Sequence, residues 1–171
     1  KSSFTMIPYG RQEVTDEDIQ YVVSVLKSDF LTQGPLVNKF EDKLSLITQG
    51  KYVTAVNSAT SALHIACLAL DVGKDDWVWT VPNTFVASAN CALYCGANID
   101  FVDIDPNTHN ISIDLLSDKL DFASKVGQLP KVVIPVHIGG EPCDMRRIKE
   151  LSDQYGFKII EDASHAIGGE Y

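Results

Sequence analysis

Residues 57–62, Asn-Ser-Ala-Thr-Ser-Ala, contain three hydroxyl side chains that could help to bind an anion. This turn joins a strand predicted over residues 52–56 to a helix predicted over residues 60–70. The first turn of a helix has N–H groups without internal partners, so Thr60 and Ser61 could cradle a phosphate there without a basic side chain. Ordinary helix capping by Ser or Thr is the alternative that the spacing leaves open.

A second group of candidate residues follows the last predicted strand, at residues 157–160. Glu161 and Asp162 come directly after this strand, and His165 stands three residues beyond Asp162. Two adjacent carboxylates repel each other unless one faces solvent, and the other could hold a cationic ring nitrogen in its protonated state. His165 could donate or accept a hydrogen bond beside the same ligand. A turn-forming Asp and a structural His are the alternative reading of these residues.

Two further side chains fall at the same kind of position. Phe85 follows a strand predicted over residues 77–81 and could stack on a flat cofactor ring, or it could be a core aromatic that begins an apolar helix. His137 ends a strand predicted over residues 131–136 and could line the same edge of a sheet. His64 lies inside an apolar helix and is predicted to be a packed histidine, whereas His109 stands in a loop and carries no signal.

The elements that must position these residues alternate between strand and helix from residue 52 onward. Another strand is predicted over residues 99–102, and helices are predicted over residues 85–95, after Ser112, and from Met145 to a stop at Gly156. This order predicts an α/β fold with a mostly parallel sheet, in which ligands bind outside the carboxyl ends of the strands. The helix over 60–70 is apolar on nearly every face, which predicts that it is buried, and the helix over 85–95 is mostly apolar.

The first 50 residues read differently, as a helical segment. A helix is predicted over residues 16–27, with Thr15 as its N-cap and Asp18 three residues later in a variant of the capping box. A second helix is predicted to begin at Pro35 and to end at a C-cap formed by Gly50.

Composition excludes several classes of protein. The chain has 171 residues, which corresponds to one domain or part of a larger one, and 45% of them are hydrophobic. The 14 basic residues face 23 acidic ones, for a net charge of −9, so we expect neither a nucleic acid nor a membrane as partner. We find neither a stretch long enough for a membrane span nor the apolar core of a signal peptide, and we expect a cytoplasmic protein.

Several motifs that would indicate other kinds of chemistry are absent from the sequence. The four cysteines form no CxxC pair and are expected to be free thiols, and no group of residues has the spacing of metal ligands. The sequence contains no GxGxxG after the first predicted strand, no P-loop and no GxSxG motif.

Six segments together resemble one family, the pyridoxal 5'-phosphate (PLP)-dependent nucleotide-sugar aminotransferases of the DegT/DnrJ/StrS group. They occur in order along nearly the whole chain, which makes the resemblance far more specific than any one motif. The segments are 31–35 (Leu-Thr-Gln-Gly-Pro), 58–63 (Ser-Ala-Thr-Ser-Ala-Leu), 82–88 (Pro-Asn-Thr-Phe-Val-Ala-Ser), 101–105 (Phe-Val-Asp-Ile-Asp), 135–137 (Pro-Val-His) and 161–165 (Glu-Asp-Ala-Ser-His).

The resemblance implies a role for each candidate residue. The backbone of Ala59, with Thr60 and Ser61, would hold the cofactor phosphate, and Phe85 would stack on the pyridine ring. Asp162 would pair with the ring nitrogen, and His165 would lie near the phenolic oxygen of the ring. Four residues of one loop would lie near the sugar substrate: Thr32, Gln33, Gly34 and Pro35.

The resemblance also implies the fold, an α/β domain of the aspartate-aminotransferase type (PLP fold type I), and a homodimer in the full-length form. Residues 1–50 would be an N-terminal helical segment, and residues 51–171 the first part of the large PLP-binding domain. The rest of that domain and a C-terminal small domain would lie beyond this chain. The family's Schiff-base lysine, in a Ser-Phe-His-x-x-Lys segment, would also follow Tyr171, so the chain alone is expected to be inactive.

The implied reaction is transfer of an amino group from glutamate to a 4-keto nucleotide sugar, for a cell-surface polysaccharide or glycan. Residues 7–12 and 28–35 look most like the subgroup that serves pseudaminic-acid synthesis, which makes UDP-4-amino-4,6-dideoxy-N-acetyl-β-L-altrosamine. Two alternatives stay open at this point. One is a family member that dehydrates sugars and lacks the lysine, and the other is an incomplete chain that only binds a ligand or partner chains.

Overall fold

The computed structural model describes residues 10–170, which fall into two compact units divided between Ala55 and Val56. The first unit contains helices α1 (Asp16–Leu26) and α2 (Pro35–Thr48). The predicted capping box is confirmed, because the Thr15 amide donates to Asp18 Oδ2 at 2.8 Å and the Asp18 amide donates to Thr15 Oγ1 at 3.2 Å. Residues 7–9, part of the segment at residues 7–12 that resembled the pseudaminic-acid subgroup, lie outside the described residues.

The second unit is built on a four-stranded sheet in the order β2-β1-β3-β4. The strands are β1 (Trp77–Thr80), β2 (Asn98–Phe101), β3 (Val132–Val133) and β4 (Lys158–Ile159). Every neighbouring pair of strands is parallel, and Val78 of β1 pairs with both Ile99 and Val132. A parallel bridge between Val136 and Asp162 continues the pairing beyond the ends of β3 and β4.

Helices cover both faces of this sheet, as the α/β reading predicts. They are α3 (Ala59–Ala69), α4 (Ala87–Tyr94), α5 (Ile113–Val126) and α6 (Met145–Tyr155), with a short 3-10 helix at Ile138–Gly140. Side chains alternate along a strand, so Val78 packs with α3 and α4 whereas Trp79 packs with α5 and α6. The predicted α/β architecture with a parallel sheet and flanking helices is therefore confirmed.

Residues 52–56 do not form the predicted strand. Within the described part of the chain the segment has no β partner, Tyr52 is exposed, and the Ala55 amide donates to Glu41 Oε1 at 2.8 Å. An apolar, β-branched run favours an extended backbone, but a strand also needs a hydrogen-bonding neighbour. The prediction was wrong because the pattern of one segment does not report its neighbours.

Two other predictions need correction. The left-handed residue after α2 is Gln49, with φ of 55°, and not Gly50. Helix α3 is not buried all round, because it buries only Leu63 and Cys67 while Ile65 and Leu68 are 50% and 52% exposed. An apolar composition predicts a covered helix, but in this structure only the face toward the sheet is covered.

No helix among residues 10–170 combines the length and the apolar character needed to cross a membrane.

Leu115 and Leu120 lie on the same helix, α5, and offer a matched test of the core. Leu120 is fully buried against the sheet and Leu115 is 46% exposed. We expect Leu120→Ala to lower the free energy of unfolding by about 2–5 kcal/mol, because it leaves a cavity. Leu115→Ala is expected to cost no more than roughly 1 kcal/mol. Urea unfolding followed by circular dichroism measures both, and equal losses would contradict the packing described here.

Candidate functional site

Four segments of the second unit meet at the carboxyl end of the sheet. They are the start of α3, the connection after β1, the turn after β3 and the loop after β4. Together they line one cavity of about 60 Å³, whose walls are formed by Ala59, Thr60, Leu63, Thr84, Phe85, Ala87, Val136, His137, Ile138, Asp162, Ser164 and His165. The structure thus brings together five of the predicted site residues, namely Ala59, Thr60, Phe85, Asp162 and His165.

Asp162 is the buried carboxylate of this cavity, with 6% of its surface exposed. Its backbone is paired to the end of the β3 segment, since the Asp162 amide donates to the Pro135 carbonyl at 2.9 Å and the His137 amide donates to the Asp162 carbonyl at 3.1 Å. Oδ1 accepts hydrogen bonds from the hydroxyl of Ser164 at 2.6 Å and its amide at 3.2 Å, and Oδ2 accepts one from the Ser88 hydroxyl at 2.7 Å. These bonds hold the carboxylate in one orientation at the cavity wall.

The first turn of α3 has both a cap and unpaired amide positions. Ser58 is the N-cap, and its Oγ accepts a hydrogen bond from the Ser61 amide at 3.2 Å. The Ser61 hydroxyl donates to Asn57 Oδ1 at 2.7 Å, and Ser61 does not line the cavity. The amides of Ala59 and Thr60 have no acceptor inside the helix because they belong to its first turn. Ser58 therefore caps the helix, and the amides of Ala59 and Thr60 stay available to bind an anion.

Phe85 is 73% exposed at the edge of the cavity. It precedes α4, which begins at Ala87 rather than at residue 85. The core-aromatic alternative is therefore wrong, and the ring presents a free face to a ligand.

His137 is almost fully buried and contacts two other segments. Its Nδ1 accepts a hydrogen bond from the Cys143 amide at 3.1 Å, and its Nε2 lies 3.1 Å from Glu161 Oε2. Hydrogen bonding to the side chains of Cys143 and Glu161 shifts the pKa of His137 upward, and burial of the ring opposes that shift. The Cys143 amide opposes this rise, because an N–H can donate only to an unprotonated Nδ1. We therefore assign the ring proton to Nε2, facing Glu161.

The turn at Ile138–Gly140 positions the loop that carries His165. The Gly139 amide donates to His165 Nδ1 at 3.4 Å. Gly140 has φ of +89°, and a Cβ at this position would lie 2.9 Å from the His165 carbonyl oxygen. Only glycine fits here, because both the backbone conformation and the close approach exclude a side chain.

The predicted substrate residues belong to the first unit and are described with it. Gln33, Gly34 and Pro35 line a cavity of about 290 Å³ between the end of α1 and the start of α2, and Thr32 does not line it. A Cβ on Gly34 would lie 2.7 Å from Phe30 Cβ, so this glycine allows the loop to fold against the phenyl side chain.

Ser88 and Ser164 both contact Asp162, and the sequence analysis predicted neither of them as a site residue. The sequence offered no local signal for Ser88, because its contact with Asp162 joins residues 74 positions apart. Among residues 10–170 there is no group of three or more His, Cys, Asp or Glu side chains that could hold a metal ion.

Comparison with known proteins shows that the fold is that of the PLP fold type I sugar aminotransferases. The sequence model of the DegT/DnrJ/EryC1/StrS aminotransferase family matches residues 12–171, and the chain belongs to this family. Solved relatives contain PLP or its amino form, since one is a PLP form and another has bound pyridoxamine 5'-phosphate (PMP). The chain is 38% identical to the spore coat polysaccharide biosynthesis protein SpsC of Bacillus subtilis over 165 residues, which are 96% of this chain and 41% of SpsC.

Solved structures show the same relationship. The putative sugar aminotransferase Spr1654 from Streptococcus pneumoniae matches in its PLP form with a TM-score of 0.84 and 30% identity, over 95% of this chain and 44% of that one. Its PMP form matches with a TM-score of 0.84 and 31% identity, over 95% and 43% of the two chains. A family aminotransferase from Brucella abortus gives a TM-score of 0.84 and 31% identity, over 88% and 40%. The chain thus spans less than half the length of these relatives.

Gly139 and Gly140 offer a matched test of the turn that holds His165. Both have positive φ, but a Cβ on Gly139 would meet nothing within 4 Å. We expect Gly139→Ala to cost about 1–2 kcal/mol of unfolding free energy from backbone strain alone. Gly140→Ala should cost roughly 1–3 kcal/mol more, because the His165 carbonyl must also move. Chemical denaturation measures the two losses, and the NMR signal of the His165 ring should shift more in Gly140→Ala. Equal effects of the two variants would contradict the close approach.

Proposed function

We propose that this chain is the part of a sugar aminotransferase that holds PLP, with glutamate as amino donor and a 4-keto nucleotide sugar as acceptor. The observation that carries the proposal is one cavity that joins a buried carboxylate, Asp162, to the open first turn of α3. Such a cavity suits a ligand with a cationic ring nitrogen at one end and an anionic phosphate at the other.

The donor groups of the cavity fit PLP. The amides of Ala59 and Thr60, with the Thr60 hydroxyl, offer hydrogen bonds to a phosphate at the positive end of the helix dipole. Phe85 offers an exposed aromatic face to a pyridine ring. Among residues 10–170, no Lys or Arg lines the cavity, so backbone dipoles would have to supply the attraction for the phosphate.

Bound PLP supplies an electron sink that stabilises negative charge developing on the carbon next to the amino group. The chain's own residues would support this chemistry. Asp162, ionised and hydrogen-bonded, would hold the proton on the ring nitrogen and so keep the sink effective. His165 would hydrogen-bond at the other edge of the ring, and Phe85 would shield one ring face from water.

The substrate assignment rests on the relatives and on the sequence resemblance. SpsC is named for polysaccharide biosynthesis, and Spr1654 is named as a sugar aminotransferase. We extend this to the present chain and propose Thr32, Gln33, Gly34 and Pro35 as the loop near the sugar. We also propose that residues 51–171 form the first part of a large domain, in a cytoplasmic homodimer whose Schiff-base lysine lies beyond Tyr171.

Asp162→Asn tests the ring-nitrogen contact. Pyridoxamine 5'-phosphate (PMP) serves as the ligand because it binds without a covalent link to lysine. We expect Asp162→Asn to weaken PMP binding by about 10- to 150-fold, since a hydrogen bond to a charged group contributes about 1.5–3 kcal/mol. Calorimetry measures the affinity, and Asp118→Asn, which changes an exposed carboxylate on α5, is the matched control. Equal affinities of the two variants would refute the role of Asp162.

The amino-transfer reaction itself has a direct assay. With glutamate and a UDP-linked 4-keto-6-deoxy sugar, the PLP-loaded full-length protein, which would include the proposed lysine beyond Tyr171, should produce 2-oxoglutarate and an amino sugar in equal amounts. Mass spectrometry identifies the sugar product, and a coupled dehydrogenase measures 2-oxoglutarate. A deoxygenated sugar without 2-oxoglutarate would favour the dehydratase alternative instead. Binding of PMP without any conversion of the sugar would favour the alternative of an incomplete, ligand-binding chain.

A further inference from the structure

The hydrogen bonds of the Asp162 carboxylate leave one position open. A carboxylate offers about four lone-pair positions, two on each oxygen. The amide and hydroxyl of Ser164 fill both positions of Oδ1, and the Ser88 hydroxyl fills one position of Oδ2. One lone pair of Oδ2 is therefore left for a further donor.

Ser88 acts on this carboxylate from within the protein core. It lies in the first turn of α4, has no exposed surface, and is not among the residues that line the cavity. By contrast, Asp162 and Thr84 do line the cavity. The Ser88 hydroxyl therefore supports the carboxylate without being placed to touch a ligand.

The direction of the hydrogen bonds around Ser88 follows from the charge of Asp162. An ionised carboxylate only accepts, so the single proton of the Ser88 hydroxyl points to Oδ2 at 2.7 Å rather than to the Phe85 carbonyl at 3.3 Å. Thr84 Oγ1 lies 2.7 Å from Ser88 Oγ and must then be the donor of that pair. Thr84 therefore donates to Ser88, and Ser88 donates to Asp162.

We propose that Ser88 is the positioning residue of the cofactor site: its hydrogen bond fixes Oδ2 so that the remaining lone pair receives the N–H of the cofactor ring. This inference rests on the function proposed above. Without the Ser88 hydroxyl, Oδ2 loses its hydrogen bond from α4, and the carboxyl group can turn or admit water. The ring nitrogen then meets a less well directed acceptor and binds its proton more weakly.

The test uses PMP labelled with nitrogen-15 in the ring, bound to the 171-residue chain. The chemical shift of this nitrogen reports its protonation directly, so a pH titration gives the midpoint at which the bound ring loses its proton. We expect Ser88→Ala to lower the midpoint by on the order of one pH unit, a tenfold loss of proton affinity. Thr84→Val removes the next hydroxyl in the chain and should lower it by a smaller amount.

Ser152→Ala is the matched control, because it also removes a buried serine hydroxyl that donates a hydrogen bond, to the Phe157 carbonyl at 2.6 Å. It should leave the midpoint unchanged, even where it lowers stability. If Ser88→Ala does not fold, as judged by circular dichroism, Ser88→Cys takes its place with the same expected direction, since a thiol is a weaker donor of similar size.

Two failures are distinguishable. Absence of PMP binding to the unaltered chain would overturn the proposed function, and with it this inference. Binding with a protonated ring nitrogen whose midpoint is the same in the Ser88 variant as in Ser152→Ala would overturn the role of Ser88 alone.

Discussion

The burial of one carboxylate, Asp162, is the constraint on which the arrangement of this sheet edge depends. A charged group that is 6% exposed must have its oxygens hydrogen-bonded, or its desolvation would cost several kcal/mol. The partners come from α4 and from the loop after β4, while the backbone is paired to the end of the β3 segment. Satisfying the carboxylate therefore fastens α4 to the loop after β4, and backbone pairing joins this loop to the end of the β3 segment.

The neighbouring carboxylate, Glu161, must be kept away from the buried charge of Asp162. Successive side chains of an extended segment point in opposite directions, so Glu161 and Asp162 leave the backbone on different sides. Glu161 pairs with the buried His137, which is itself held by the Cys143 amide. The two negative charges are thereby kept apart, and only the Asp162 carboxylate lines the cavity.

Much of this arrangement could be predicted from sequence because it follows from local patterns. The alternation of strands and helices places Phe85, His137 and Asp162 after parallel strands, and parallel strands end at a common edge. The strand at residues 52–56 could not be excluded in this way, because hydropathy does not reveal whether a pairing partner is present. The contact between Ser88 and Asp162 joins residues 74 positions apart and depends on how α4 packs, which no local pattern contains.

The phosphorylated ligand proposed here would have to bind to an acidic protein with a net charge of −9. Its long-range field repels anions, and in the described part of the chain no Lys or Arg of the cavity walls compensates for this repulsion. The first turn of α3 acts only over a short distance, through N–H groups directed at the ligand. A free anion would gain little from this turn alone. Under the proposed function, a ligand whose cationic ring nitrogen meets Asp162 while its phosphate meets α3 would gain at both ends, so the site would favour a molecule that carries both charges.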